Sequence, residues 1–283
     1  MKIRDWAFQS LIITKKATRM NTISLVEENA LTYYKGIARL LGGHFTETEE
    51  IAWFTTGRQS LYRFNGVLRT ATRAENLSRL ADPIFETLLS KKLPFFWVDW
   101  QDNSAPGLEE FLISKNIGWE IFRGMPCMSR GLNDLPELSL PKGVELVRVR
   151  SEKDQADWLN VLMEGFEEPE PSRPDFQQIL ANSLTEPALT FEHFVARWRG
   201  EPCAISTLLH ADHGAGIYHV TTLPRYRGHG FGKALTLAAM QTAREAGYKQ
   251  SILFATPSGF PIYKQLRFET VITADGFVWS PSE

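Results

Sequence analysis

The residues whose types and spacing most clearly suggest a chemical role lie between Gly216 and Gly247. The centre of this stretch, residues 225–233, reads Arg-Tyr-Arg-Gly-His-Gly-Phe-Gly-Lys. A β-branched and aromatic run precedes it and an alanine- and leucine-rich run follows, which predicts a strand, a turn and a helix. Because the first amides of a helix have no partner within it, a glycine-rich turn flanked by cations is suited to binding an anion.

Three anion-binding patterns compete for this turn. A phosphate loop would need glycine and Ser or Thr where the chain has Arg227 and Ala234. The dinucleotide fingerprint needs G-x-G-x-x-G and an acidic residue about twenty positions later, whereas this chain has G-x-G-x-G and no acid in its next strand. The third pattern, R-x-x-G-x-G, fits at Arg227, Gly230 and Gly232. A glycine-rich turn without a ligand is the remaining alternative.

A second motif follows the helix, in the segment Phe-Pro-Ile-Tyr-Lys-Gln-Leu-Arg-Phe-Glu that contains Tyr263. Together with the V-x-T-x-P-x-Y-R-G run that starts at Val220, these motifs resemble the GNAT N-acetyltransferase superfamily. In that family R-x-x-G-x-G is the acetyl-CoA loop, and a later tyrosine is followed by K-x-L-G-F. Arg267 stands where the family usually has glycine. The resemblance covers about half of the chain.

The resemblance implies a mixed α/β (α+β) fold, in which helices flank a largely antiparallel central sheet. We expect a catalytic GNAT domain at residues 144–283, a linker at 136–143 and another α/β domain at 1–135. In the first domain, a strand, a Pro/Gly loop, a short helix and an aromatic strand at 95–122 repeat the order found at 252–268. We therefore predict two GNAT-like domains in tandem, of which the first is a degenerate copy without a cofactor loop.

The resemblance also implies acetyl-CoA as the co-substrate, bound without a metal. Backbone amides of the glycine turn would hold its pyrophosphate, and the backbone of the preceding strand would pair with the pantetheine arm. Thr256 would hydrogen-bond the cofactor, although it is equally suited to a plain turn. The residues assigned to the cofactor are Val220, Thr222, Arg227, Gly228, His229, Gly230, Phe231, Gly232, Lys233 and Thr256.

Two residues are candidates for proton transfer. Tyr263 is the predicted general acid, because a phenol with a pKa near ~10 stays protonated at neutral pH and can serve a thiolate leaving group. The alternative is a plain core aromatic. His219 is a candidate base, since its ordinary pKa is ~6.5. Strict pleating would turn His219 away from the face shared by Tyr218 and Val220, unless a bulge intervenes. A water relay would need no protein base.

Three other polar patterns carry expectations of their own. A group of carboxylates would form a rim that attracts a cationic amine, or else a solvated loop: Glu164, Glu167, Glu168 and Glu170. A polar group at a predicted hairpin tip is interpreted as a solvated turn rather than a metal site: His210, Asp212 and His213. The spacing Thr72-x-x-Glu75 predicts a capping box at the start of a helix.

These features predict an N-acetyltransferase that moves an acetyl group from acetyl-CoA to a primary amine. The acceptor would be a small molecule or a peptide, and the amine would attack directly in a ternary complex. The alternative is a non-catalytic module that binds acyl-CoA as a sensor.

Composition narrows the partners and the compartment. A formal net charge of −2 and a pI near 6.3 argue against a nucleic-acid partner. The two cysteines, Cys127 and Cys203, give no disulfide framework, which suits a reducing cytosol. The first residues lack the pattern of a signal peptide, and no apolar run approaches the ~20 residues of a membrane span. The prediction is a cytoplasmic protein without a membrane partner, with homodimerisation left open.

Overall fold

A computed structural model describes residues 22–101, 103–186 and 191–281. The N-terminal residues on which the signal-peptide prediction depends lie outside these ranges. We refer to residues 22–131 as the first half and to residues 144–281 as the second half.

The first half contains three α-helices and five strands within the described residues. In chain order they are α1 (Thr22–Leu40), β1 (His44–Glu47), β2 (Ile51–Thr55), β3 (Asn65–Thr70), α2 (Leu77–Ser90), β4 (Phe95–Trp100), α3 (Leu108–Ser114) and β5 (Glu120–Gly131). The helices form where apolar residues recur at helical spacing, and α1 thereby buries Val26, Ala30 and Ile37.

The second half begins with a strand and two helices, and its described part continues with five further strands and two further helices. They are β6 (Val144–Arg148), α4 (Glu152–Gly165), α5 (Arg173–Ser183), β7 (Phe191–Trp198), β8 (Glu201–His210), β9 (Ala215–Thr222), α6 (Phe231–Glu245), β10 (Gln250–Phe254), α7 (Phe260–Gln265) and β11 (Glu269–Trp279). A capping box starts α4, because Ser151 Oγ accepts from the Asp154 amide and the Asp154 carboxylate accepts from the Ser151 amide.

All of these strands join one sheet in the order β1-β2-β3-β4-β11-β5-β10-β9-β8-β7-β6. Its strand pairs are antiparallel except for β3 with β4 and β9 with β10, which are parallel. The predicted fold class, a largely antiparallel mixed sheet flanked by helices, is confirmed.

The two halves exchange their last strands. Strand β11 lies between β4 and β5 of the first half, with Phe277 opposite Trp97. Strand β5 lies between β10 and β11 of the second half, with Ser129 opposite Ile252. Both halves contain the series of a parallel strand pair, a short helix and a final strand, as β3-β4-α3-β5 and as β9-β10-α7-β11. The sequence predicted the repeated order but not the exchange.

The core lies on both faces of the second half of the sheet. On one face α4 and α5 pack against β7–β9, and α1 of the first half joins them. On the other face α6 and α7 pack against β7–β10. We call these the α4 face and the α6 face. Within the described residues, no helix has the length and hydropathy needed to cross a bilayer.

Candidate active site

The glycine turn connects β9 to α6. After Thr222 the chain makes a short 3-10 turn at Pro224–Tyr226, and α6 begins at Phe231. Gly228 and Gly230 have φ angles of +83° and +82°, a left-handed conformation that favours glycine. A Cβ atom at either position would meet no other atom within 4 Å, so the turn borders open space.

The backbone amides of residues 228–233 have no hydrogen-bond acceptor in the described part of the chain. The side chains of Arg227 and His229 stabilise the turn through hydrogen bonds to backbone carbonyls. Arg227 Nε donates to the Thr222 carbonyl at 3.1 Å, and His229 Nδ1 donates to the carbonyls of Tyr226 and Arg227 at 3.2 and 3.0 Å. The result is a preformed row of N–H groups at a helix N-terminus, which can bind a phosphate or diphosphate.

We use the word slot for the unpaired edge of β9 next to this turn, where β9 and β10 no longer pair. Strands β9 and β10 pair only at Ala215–Ser251 and Gly216–Ile252, and beyond these residues they diverge. Both predicted pantetheine-binding residues lie along this edge. A Cβ on Gly232 would lie 3.6 Å from Thr222 Oγ1 and 4.0 Å from Val220 Cγ1. Since backbone groups at a free strand edge can pair with an extended ligand, the slot can hold a narrow chain.

Tyr263 lies on α7, in the core of the α6 face, and is 7% exposed. Burial raises the pKa of its phenol to about 12, so the group is protonated at neutral pH. Its hydroxyl has no hydrogen-bond partner among the described residues, which leaves it able to donate a proton. Gly259 lies against the ring, since a Cβ there would be 2.8 Å from Tyr263 Cε2. Thr256 is a turn residue here, because its Oγ1 accepts from the Gly259 amide at 3.2 Å.

His219 occupies a β-bulge. A bulge was the one exception to the expectation that strict pleating turns His219 away from the face shared by Tyr218 and Val220. Thr221 pairs with Ile205 but Tyr218 pairs with Thr207, which leaves His219 as an extra residue with a φ of +51°. Alternation therefore breaks down. Tyr218 and His219 both contact Tyr33 on the α4 face, while Val220 packs on the α6 face.

The His219 side chain is held by hydrogen bonds and aromatic contacts. Its Nε2 lies 2.9 Å from the Tyr33 hydroxyl, its Nδ1 lies 3.3 Å from Thr207 Oγ1, and Trp158 packs edge-on at 5.4 Å. The ring keeps some accessible surface, yet its burial lowers the pKa to about 3, helped by His193 and Arg63. His219 is therefore neutral at physiological pH. It lies on the opposite face of the sheet from Tyr263.

The first half contributes side chains to the α4 face that no local sequence pattern identifies. Tyr33 comes from α1, and Arg63 forms an ion pair with Glu168 just after α4. Arg58 pairs with Asp175 of α5 at 3.2 Å. These contacts join residues more than a hundred positions apart, so no local pattern could have revealed them.

The predicted rim of carboxylates is largely neutralised. Glu168 pairs with Arg63, and the other two ion pairs are Glu164 with Arg225 and Glu170 with Arg173. Among the described residues only Glu167 of this group has no ionic partner, so the electrostatic attraction for a cationic amine is weaker than the sequence suggested.

The predicted hairpin tip is held by a hydrogen bond. His210 Nε2 lies 2.9 Å from Glu192 Oε1. In the part of the chain that the structure describes, no group of three His, Cys, Asp or Glu residues could hold a metal ion.

A comparison with protein families matches part of this chain. Residues 155–261 match the model of the Acetyltransferase (GNAT) family. This segment is a GNAT domain. The matched range includes most of α4, the bulged β9, the glycine turn and the start of α7. The resemblance drawn from the two sequence motifs is thus confirmed.

Curated relatives that this chain matches are mycothiol acetyltransferases. The protein from Streptomyces bingchenggensis is 28% identical over 57% of this chain and 56% of its own length. The one from Pseudarthrobacter chlorophenolicus is 30% identical over 48% of this chain and 45% of its own length. The chain therefore spans about half the length of the curated relatives it matches.

Solved structures extend the fold similarity to the first half. A GCN5-related N-acetyltransferase from Kribbella flavida superposes with a TM-score of 0.69 at 19% identity, covering 92% of this chain and 96% of that one. A tandem GNAT protein from the clavulanic acid biosynthesis pathway gives 0.55 at 12% identity, covering 82% and 79%. At these identities the likeness shows the fold alone, and it supports the predicted tandem of GNAT-like units.

Proposed function

We propose that this protein is an acetyl-CoA-dependent N-acetyltransferase. It would transfer the acetyl group to a primary amine of a small molecule or peptide, by direct attack in a ternary complex. The observation that carries this proposal is the row of unpaired amides at residues 228–233, beside a slot where β9 and β10 diverge. The mycothiol acetyltransferase names of the relatives support acetyl transfer to a small molecule.

The cofactor would lie along the turn and the slot. We assign the pyrophosphate to the amides of Gly228, His229, Gly230, Phe231, Gly232 and Lys233. The guanidinium of Arg227 and the ammonium of Lys233 would add positive charge. Val220 and Thr222 would pair with the pantetheine arm through their backbones. The Thr222 carbonyl already accepts from Arg227 but has a second lone pair to offer. Thr256 would border the cofactor at the start of α7.

The reaction needs a proton for the leaving thiolate. As the amine nitrogen forms its bond to the thioester carbon, the carbon–sulfur bond breaks and the sulfur takes up a proton. We assign that proton to Tyr263, whose burial keeps it in the acid form until a thiolate approaches. His219 would act on the α4 face, where we place the acceptor.

We further propose that residues 144–283 form the catalytic unit and that residues 136–143 link it to residues 1–135. The exchanged strand β5 makes the first unit part of the sheet that supports the site. Contacts of Tyr33 and Arg63 with the α4 face would let the first unit form one wall of the acceptor site.

Thiol release from acetyl-CoA across a panel of amines tests the function. We expect turnover by the wild type and a fall in kcat of at least ~100-fold in Tyr263→Phe, the usual lower bound for loss of a general acid. The dissociation constant for CoA should stay unchanged. Tyr248→Phe is the matched control, since Tyr248 packs against the same core. Equal kcat in Tyr263→Phe and the wild type would remove Tyr263 from the mechanism.

An acyl-CoA sensor is the second candidate. The observation in its favour is that Tyr263 is enclosed in the core without a polar partner among the described residues, as a purely structural tyrosine would be. A sensor would bind CoA in calorimetry but release no thiol with any amine of the panel. An enzyme would do both.

A further inference from the structure

A chain of hydrogen bonds crosses the α4 face and joins α1 of the first half to α5 of the second. It runs through five side chains to a backbone carbonyl, and its contacts are Tyr33 Oη to His219 Nε2 at 2.9 Å, His219 Nδ1 to Thr207 Oγ1 at 3.3 Å, Thr207 Oγ1 to His193 Nδ1 at 2.8 Å, His193 Nε2 to Ser183 Oγ at 2.9 Å and Ser183 Oγ to the Leu180 carbonyl at 2.7 Å.

The carbonyl at one end fixes the direction of the first bonds. The Leu180 oxygen can only accept, so Ser183 gives its single hydroxyl proton to Leu180. Ser183 must then accept from His193, which places the proton of that ring on Nε2. Burial lowers the pKa of His193 to about 3, so the ring is neutral and its Nδ1 is bare.

The same reasoning carries the direction to the other end. A bare Nδ1 on His193 must accept the only hydroxyl proton of Thr207. Thr207 therefore accepts from His219, whose proton is on Nδ1. The Nε2 of His219 is left bare and accepts from the Tyr33 hydroxyl. Every proton in the chain is used once, and all five groups are satisfied in the neutral state.

This arrangement leaves one entry for a further proton. The hydrogen-bond chain ends at the Leu180 carbonyl. A carbonyl has no proton to release, so a proton cannot leave the hydrogen-bond chain at this end. At the other end Tyr33 has committed its proton to His219, and its oxygen accepts no hydrogen bond from any described residue. Taken as whole residues, Tyr33 is 9% exposed and His219 is partly accessible. A hydrogen-bond donor that reaches this end of the hydrogen-bond chain would find the Tyr33 oxygen as an acceptor that no described residue uses.

We propose that Tyr33, supplied by the first half, is a catalytic residue that accepts the proton of the acceptor amine and passes its own proton to His219. This inference rests on the proposed acetyl transfer. The N–H bond of the amine breaks as a new O–H bond forms on Tyr33. The original O–H bond of Tyr33 breaks as an N–H bond forms on His219 Nε2. The ring becomes an imidazolium that still donates from Nδ1 to Thr207.

His219 is a weak base in the resting site, so it takes up the proton during the attack and not before it. An amine that has attacked a carbonyl carbon carries positive charge on its nitrogen and is far more acidic than the free ammonium ion, which makes the transfer to His219 less unfavourable at that stage. The charged and titratable groups that face the Tyr33–His219 pair are Arg63, Glu168, Tyr34, Tyr218 and His193. Arg63 forms an ion pair with Glu168, yet its positive charge still lowers the pKa of His219, so the imidazolium is short-lived.

The test compares Tyr33→Phe with Tyr34→Phe. The two tyrosines are neighbours on α1, but Tyr34 packs against Phe54 and Phe96 and its hydroxyl forms no hydrogen bond within the described residues. We expect kcat of Tyr33→Phe to fall by ~100-fold or more, the scale of general base catalysis. The CoA dissociation constant should not change, and the log of the remaining rate should rise with pH because hydroxide replaces the lost base. Tyr34→Phe should behave as the wild type.

Full activity in Tyr33→Phe would overturn the inference while leaving the proposed function intact. A wild type that acetylates no amine would instead remove the proposed function, and this inference with it. Should Tyr33→Phe fail to fold, nitrogen-15 NMR of the wild-type histidines decides. We expect two neutral rings of opposite tautomer, with the His219 proton on Nδ1 and the His193 proton on Nε2. His219 protonated on Nε2 would reverse the chain and overturn the proposal.

Discussion

Two turns hold equivalent places in the repeated element order, the one between β9 and α6 and the one between β3 and α2. The first has glycines at 228 and 230, free amides and open space. The second spans residues 71–76, has no glycine and ends in a 3-10 turn at Ala74–Asn76. Both turns connect a strand to a helix on the same sheet. They differ in the charges and hydrogen bonds of the residues next to each turn.

In the first half, the Glu50 carboxylate of the same chain lies beside the turn at residues 71–76. Glu50 accepts from Thr72 Oγ1 at 2.5 Å and from Arg79 at 3.4 Å, and its backbone carbonyl accepts from the Ala71 amide at 2.8 Å. The hydrogen bond from Thr72 lowers the pKa of Glu50, so the group is ionised at neutral pH. A diphosphate approaching this turn would meet a negative charge already in place.

The slot between the diverging strands is also filled in the first half. Trp97 Nε1 donates to Thr70 Oγ1 at 2.9 Å, Trp100 Nε1 donates to the Leu68 carbonyl at 2.6 Å, and the Ala105 amide donates to the Thr70 carbonyl at 2.7 Å. In the second half the corresponding edge of β9 is free beyond Gly216. In the first half, the protein's own donors and acceptors thus occupy the space between the diverging strands.

The largest expected effect comes from giving the glycine turn before α6 a negative charge like the one that Glu50 supplies beside residues 71–76. Gly230→Glu should weaken CoA binding by at least ~1,000-fold, about 4 kcal/mol, because it opposes the diphosphate and displaces several charge-assisted hydrogen bonds. Isothermal titration calorimetry measures the affinity. Gly247→Glu is the matched control, since Gly247 has a φ of +94° with no atom within 4 Å of a Cβ and lies at the other end of α6. Undiminished affinity in Gly230→Glu would contradict the cofactor assignment.

A smaller effect is expected on the stability of the two halves at low pH. The pKa values of His193 and His219 are lowered to about 3, so the folded state binds fewer protons than the unfolded state between about pH 3 and ~6.5. Stability must therefore fall as the pH drops through this window, by at most about 1.4 kcal/mol per pH unit for each histidine. We expect hydrogen exchange to show the second half opening first, since His44 of the first half is exposed.

Urea unfolding at pH 6.5 and pH 4.5 measures this dependence. His219→Gln should show a shallower loss of stability between the two values than the wild type, and His213→Gln, which alters an exposed ring, should match the wild type. A slope unchanged by His219→Gln would mean that the ring is protonated in the folded protein.

Local patterns in the sequence were enough to predict the glycine turn and the short helix that carries Tyr263. Each is decided by residues within a few positions of one another, where backbone geometry and hydrogen bonding act directly. The Thr72-x-x-Glu75 pattern shows the limit of this reasoning. Its capping box is absent, because Thr72 donates instead to Glu50, more than twenty residues away in the chain.

Long-range features could not be predicted in the same way. The bulge at His219 depends on the register between β8 and β9, and the exchange of β5 and β11 depends on which of several compatible edges each strand joins. Tyr33 meets His219 only because α1 packs across the exchanged sheet. Alternating or helical periodicity records that a face is buried but not which distant residue covers it.

The smallest expected effect tests whether the closed slot of the first half only supports the fold. Trp100→Phe would leave the buried Leu68 carbonyl without its indole donor, which should cost about 2 kcal/mol of unfolding free energy. CoA affinity and stoichiometry should stay at one site per chain, since the other donors still close the slot. Trp53→Phe is the control, because the Trp53 indole forms no hydrogen bond within the described ranges. A second CoA bound by Trp100→Phe would show that the Trp100 indole alone blocks a competent CoA site in the first half. The two turns would then differ only in whether the protein's own side chains block the site.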